Sequence, residues 1–193
     1  MLAVLLKIGA PAVAGLLLAA APGFTAPQIG LTNVTGGTGD CSVPTSSAVC
    51  APLFPVGAGV LWPGKEPEKV QVRITWHGDS PTHGFGVYLS RFTTKAAQSA
   101  GYCQAADPAD KLDLVIRQGS VLAYQGTLSD FAALHSDPST LLHLADLQAG
   151  AGQVDRMAGG DSSLFTLVVG LNISADNEYM GCVSTADIIW FAQ

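Results

Sequence analysis

Lys69-Val70-Gln71-Val72-Arg73-Ile74-Thr75-Trp76-His77 is the stretch on which the fold turns. Val70, Val72, Ile74 and Trp76 alternate with Lys69, Gln71, Arg73 and Thr75. Side chains of an extended chain point to opposite faces with a period of two, so this stretch predicts a strand with one dry and one wet face. Downstream, Phe85, Val87 and Leu89 repeat the pattern after the turn-forming Gly78-Asp79-Ser80-Pro81, and the two runs together predict an antiparallel meander. Leu112, Leu114 and Ile116 alternate with Asp113, Val115 and Arg117. Gln118-Gly119-Ser120 then turns the chain into Val121 to Tyr124, a hairpin in which glycine can take a positive φ. Phe165, Leu167, Val169, Leu171 and Ile173 make the longest alternating run. Ile188, Ile189, Trp190 and Phe191 are apolar on both faces, the pattern of a central strand.

Helical spacing is confined to two places. Ser129-Asp130 can cap a short turn through Phe131, Ala132 and Leu134, and Leu141, Leu142, Leu144, Ala145 and Leu147 show partial 3.6-residue spacing after Pro138. Seven or eight short strands without alternating long helices predict an all-β fold, a jelly-roll-like antiparallel β-sandwich with short helical insertions.

Composition narrows the function. The 193 residues are 48% apolar and only 12% charged, with 22 Gly and 11 Pro. Lys7 is the one charge in the first 39 residues, so the remaining 154 carry 8 basic and 15 acidic side chains. Phosphate binding runs on clustered Lys and Arg, which excludes nucleic acid as an expected partner.

Residues 1–26 read as an export segment. Lys7 supplies the positive start, Ile8 to Ala21 the apolar stretch, and Ala19-Ala20-Ala21 with Gly23-Phe24-Thr25-Ala26 the small residues of a cleavage site. The uncharged span Ile8 to Ala26 is also long enough for a membrane anchor. Either reading places the rest of the chain outside the membrane, secreted or at the cell surface, with no membrane association once a signal is removed. Residues 27–52 then form an N-terminal extension and 53–193 the β-domain.

Cys41, Cys50, Cys103 and Cys182 are even in number and form no Cys-x-x-Cys pair, which favours disulfides over zinc or thiol redox chemistry. Of three connectivities, Cys41 to Cys50 and Cys103 to Cys182 fit best, and the sequence leaves the choice open.

No residue cluster carries an evident reaction, and no cofactor or metal is expected. His77, His83, His135 and His143 lack the His-Glu-x-x-His spacing that would hold zinc. Gly78-Asp79-Ser80 and Gly160-Asp161-Ser162 lack the Gly-x-Ser-x-Gly elbow and read as turns. Asn33-Val34-Thr35 and Asn172-Ile173-Ser174 match the glycosylation tripeptide. Trp76 and Trp190 follow strand alternation and belong to the core, whereas Trp62 reads as nearer the surface, where an indole can stack on a sugar ring.

Leu61-Trp62-Pro63-Gly64 ahead of the Val70 to Trp76 strand, Lys111 to Ile116 followed by Tyr124-Gln125-Gly126-Thr127-Leu128, and Ser174 to Gly181 ahead of Asp187 to Gln193 form an ordered string. That string resembles the TasA/camelysin family of exported β-proteins, over about residues 54 to 193. The family's Phe-rich segment is reduced here to Phe24-Thr25-Ala26, and the Cys41 to Cys50 loop is an addition. The resemblance implies a non-catalytic structural subunit of an extracellular filament or biofilm matrix, a homopolymer in which each copy donates an N-terminal strand to its neighbour. The residues allow it: Pro27 to Gly37 is uncharged, carries Ile29, Leu31 and Val34 as interface candidates, and ends in Gly36-Gly37. The same residues equally allow a first strand paired within its own chain. The other readings are a secreted metallopeptidase, as the camelysin label implies, and a cell-surface carbohydrate- or protein-binding module.

Overall fold

The computed structural model describes residues 29–33, 40–42, 61–77, 85–96, 104–143, 160–179 and 182–192. The expected export segment lies outside them, and no helix among the described residues is long and apolar enough to cross a membrane.

The described residues are mostly β-strand, all of it antiparallel. In chain order the strands are β1 (Ile29–Asn33), β2 (Asp40–Ser42), β3 (Glu68–Trp76), β4 (Phe85–Ala96), β5 (Leu112–Gln118), β6 (Val121–Thr127), β7 (Leu142–His143), β8 (Ser162–Leu171) and β9 (Cys182–Ala192), with one α-helix, α1 (Leu128–Leu134), after β6. Six of them form one sheet in the order β2-β1-β3-β8-β5-β6, and three form another in the order β7-β4-β9.

Alternation in β3 does what its spacing predicts. Val70, Val72, Ile74 and Trp76 are all buried, while Lys69 and Arg73 stay in water. β5 repeats this with Leu112, Leu114 and Ile116, and β8 adds Phe165, Leu167, Val169 and Leu171. From the other sheet come Val87, Leu89, Ile188 and Trp190, all within the same buried cluster. The Phe165 and Trp190 rings, one from each sheet, sit 4.6 Å apart. Each such side chain contributes roughly 1.5–3 kcal/mol by leaving water, so the two sheets hold each other.

That shared core corrects the expected meander. β3 pairs with β1 and β8, and β4 with β7 and β9, so the first two alternating runs lie in different sheets. Two strands that are each dry on one face can satisfy that face by pairing side by side or by facing one another, and sequence alternation is the same in both. The expected hairpin of β5 and β6 is present, with Gln118 opposite Val121 and Gly119 at φ +56°.

Three smaller expectations also shift. Ile173 is not part of β8 but 81% exposed, because Asn172 ends the strand: its Oδ1 accepts from the Ser174 N–H at 2.9 Å and its carbonyl from Ala175. β4, not β9, is central in the smaller sheet, although Ile188 and Ile189 are buried on opposite faces of β9 as their pattern predicts. Leu142 and His143 form a short strand against Gly86 and Val87 rather than a helical turn, while residues 144–147 lie outside the described residues. Helix α1 forms where its signal lies, but its N-cap is Thr127, whose hydroxyl accepts from the Asp130 N–H at 3.0 Å.

Candidate functional site

Of the stretch expected to mediate assembly, Ile29–Asn33 is part of the large sheet. β1 runs antiparallel to β3, with Ile29 opposite Trp76, Leu31 opposite Ile74 and Asn33 opposite Val72. β2 flanks it on the outside, Leu31 lying opposite Cys41. Within this single chain β1 therefore pairs with its own β3. Ile29 and Leu31 are in the strand, and Val34 lies outside the described residues. The seat beside β3 is built by the chemistry of β3 itself: an alternating strand whose inner side chains are locked in the core presents one backbone edge to β8 and the other to β1.

Of the cysteines, Cys182 is buried and disulfide-bonded. Cys41 is described through its backbone in β2 alone, and Cys50 and Cys103 lie outside the described residues, so the favoured pairing of Cys103 with Cys182 remains a proposal.

The other candidate residues that are described sit in a turn, at a helix end and on the surface. Gly160, at φ +87°, and Asp161 close a turn on the end of β3: the Gly160 N–H donates to the Trp76 carbonyl at 2.8 Å and the Trp76 N–H to the Asp161 carbonyl at 3.0 Å. That turn needs glycine for its backbone and leaves Ser162 as an exposed strand residue. His77 is exposed, and His135 closes α1, its ring against Phe131 and its Nδ1 2.7 Å from the Thr140 carbonyl. His83 and the Gly78-Asp79-Ser80 turn lie outside the described residues, and so does the His143 side chain. Among the described residues no three His, Cys, Asp or Glu side chains converge as metal ligands would. Asn172, the second glycosylation candidate, has its amide N–H directed at Asp113, 3.1 Å from the nearer carboxylate oxygen.

Trp76 and Trp190 are buried as expected, whereas Trp62 is 52% exposed. The Lys65 ammonium lies 4.9 Å from the centre of its ring and also pairs with Glu68 at 2.5 Å. One indole face is thus partly covered by the chain's own cation, a contact worth about 0.5–1 kcal/mol at an exposed site.

An acidic group surrounds the start of β5, which the sequence reading did not single out. Asp107 caps the 3₁₀ turn Pro108–Lys111, accepting from the Ala109 N–H at 3.0 Å. The Tyr179 hydroxyl donates to Asp110 at 2.8 Å. Desolvation, then that hydrogen bond and the negative charges of Asp110, Asp176 and Glu178, push the Tyr179 phenol up to about 12. These contacts tie the segment after β8 to the turn before β5.

No protein-family model matches the chain, and no curated protein matches it.

Proposed function

We propose that this protein is an exported, non-catalytic structural subunit of an extracellular filament or matrix, of the TasA/camelysin type, which polymerises by lending its N-terminal strand to a neighbouring copy. The observation that carries this reading is the position of β1: an uncharged strand that adds to the edge of β3. A neighbour's β1 in the same register would satisfy the same backbone groups, and the identity of the strand is all that changes between a closed monomer and an open chain of subunits. The buried faces of both sheets and the five connections that pass between them support assigning the domain as a jelly-roll sandwich, a rigid body suited to stacking. Export by residues 1–26 and disulfides between Cys41 and Cys50 and between Cys103 and Cys182 belong to the same proposal.

The test is secretion of the full chain followed by electrophoresis with and without SDS and heat. The proposal expects multimers that resist SDS at room temperature. Deleting residues 27–37 should abolish them while far-UV circular dichroism still reports a β-domain. A protein that stays monomeric at high concentration contradicts the reading.

A surface binding module is the second reading, favoured by the exposure of Trp62. It expects glycan binding that Trp62→Ala removes.

A further inference from the structure

We propose that the outer face of the large sheet is a docking surface for an anionic polysaccharide, one whose sugars carry carboxylates. Register decides which side chains share that face. Val70, Val72, Ile74 and Trp76 point into the core, so Lys69, Gln71, Arg73 and Thr75 point out, and directly opposite residues of paired strands lie on the same side. Lys69 is opposite Val168, Gln71 opposite Thr166 and Arg73 opposite Leu164. Thr166 is in turn opposite Arg117 of β5. Lys69, Arg73 and Arg117 therefore occupy one face, and all three are exposed.

Their spacing follows from strand geometry. Lys69 and Arg73 stand four residues apart along β3, about 13 Å, and Arg117 stands two strands away, about 10 Å, level with Gln71 between them. At the centre the Gln71 amide donates to the Thr166 hydroxyl at 3.4 Å. None of the three cations makes an ion pair among the described residues, and Arg117 donates to the Ser120 carbonyl at 3.4 Å. Acids stand at the margins, Asp113 opposite Gly170 and Asp40 opposite Thr32.

Positive charge is thus gathered on one face of a chain whose net charge is −6. Screening acts over about 8 Å at physiological ionic strength, so a ligand laid on the sheet responds first to these cations. The other side chains select the occupant. A protein partner needs a dry centre, yet the exposed residues on this face of β3, β5 and β8 are Lys69, Arg73, Arg117 and Ser162. Nucleic acid calls for denser cations and for aromatic rings on which bases stack, and these three strands carry no aromatic residue on this face. A hydrated polyanion rich in hydroxyls needs what is present, separated cations beside the amide of Gln71 and the hydroxyls of Thr75 and Ser162. The surface is the same whether β1 pairs within its chain or with a neighbour's β3.

Retention of the secreted full chain on immobilised polygalacturonate tests it, with neutral dextran as the reference. Wild type should bind polygalacturonate and not dextran, and the affinity should fall as salt rises. One exposed ion pair contributes little, so all three are removed together. Lys69→Gln, Arg73→Gln, Arg117→Gln should weaken binding by about tenfold or more at low salt with unchanged circular dichroism. Arg73→Lys with Arg117→Lys keeps the charges and should bind like wild type, as should Trp62→Ala. Equal retention on dextran, a triple variant that binds like wild type, or loss of binding in Trp62→Ala overturns the proposal. So does equal affinity for single-stranded DNA, or a triple variant whose sedimenting mass falls without any polymer, which would give the face to a second copy.

Discussion

Phe165 sets the scale of what one side chain contributes. It is fully buried and tilted against Trp190 across the two sheets, so Phe165→Ala removes a ring and leaves a cavity where neither sheet can close. We expect a loss of about 3–5 kcal/mol, read as a lower urea midpoint with an unchanged slope. Tyr179 offers a pH-dependent counterpart. Its folded pKa, about 12, lies above the ordinary value of 10.0, so the fold favours the neutral phenol. That contribution is complete below pH 10 and disappears as pH rises from 10 towards 12, because an unfolded tyrosine releases its proton first. Tyr179→Phe should flatten the fall of stability across that window and delete a phenolate step near pH 12 in an ultraviolet titration. Burial of Trp76 and Trp190 was legible from alternation, and exposure of Trp62 from its place in the Gly- and Pro-containing stretch Gly59 to Gly64. The Tyr179–Asp110 contact was not, since it joins residues 69 positions apart that share no periodic pattern.

Elements show how local chemistry and packing divide the work. Thr127 caps α1, and Thr127→Ala should cost about 1 kcal/mol, with loss of helical signal at unchanged β-content. Gly86 has a different task. A Cβ there would lie 2.7 Å from the Leu142 carbonyl oxygen, so Gly86→Ala should push β7 off β4, measured as faster amide exchange over residues 142–143. Strand existence could be read along β3, β5 and β8 because each is dry on one face only. Strand partners could not: the β3 and β4 patterns are alike, and only the filling of one core decides that they face each other. β8 stops at Leu171 because Asn172 folds its side chain back on the chain, a local hydrogen bond that outweighs the apolar alternation continuing to Ile173.

At the scale of the fold, the two sheets of the described residues share one core, and among those residues the larger sheet ends in β1 with β2 on one side and β6 on the other. An uncharged first strand was visible in the sequence, but its seat was not, because pairing within a chain and pairing between copies use the same residues. The register supplies the test. Thr32 lies opposite Arg73, so Thr32→Cys and Arg73→Cys, made in separate chains, are secreted and mixed under oxidising conditions. Peptide mapping then looks for a disulfide joining the two introduced thiols, which distinguishes it from bonds among the native cysteines. Donation of β1 to a neighbour predicts that link between two different chains, in a band of at least twice the chain mass. Absence of any intermolecular link, together with a ready intramolecular one when both substitutions share a chain, would contradict it.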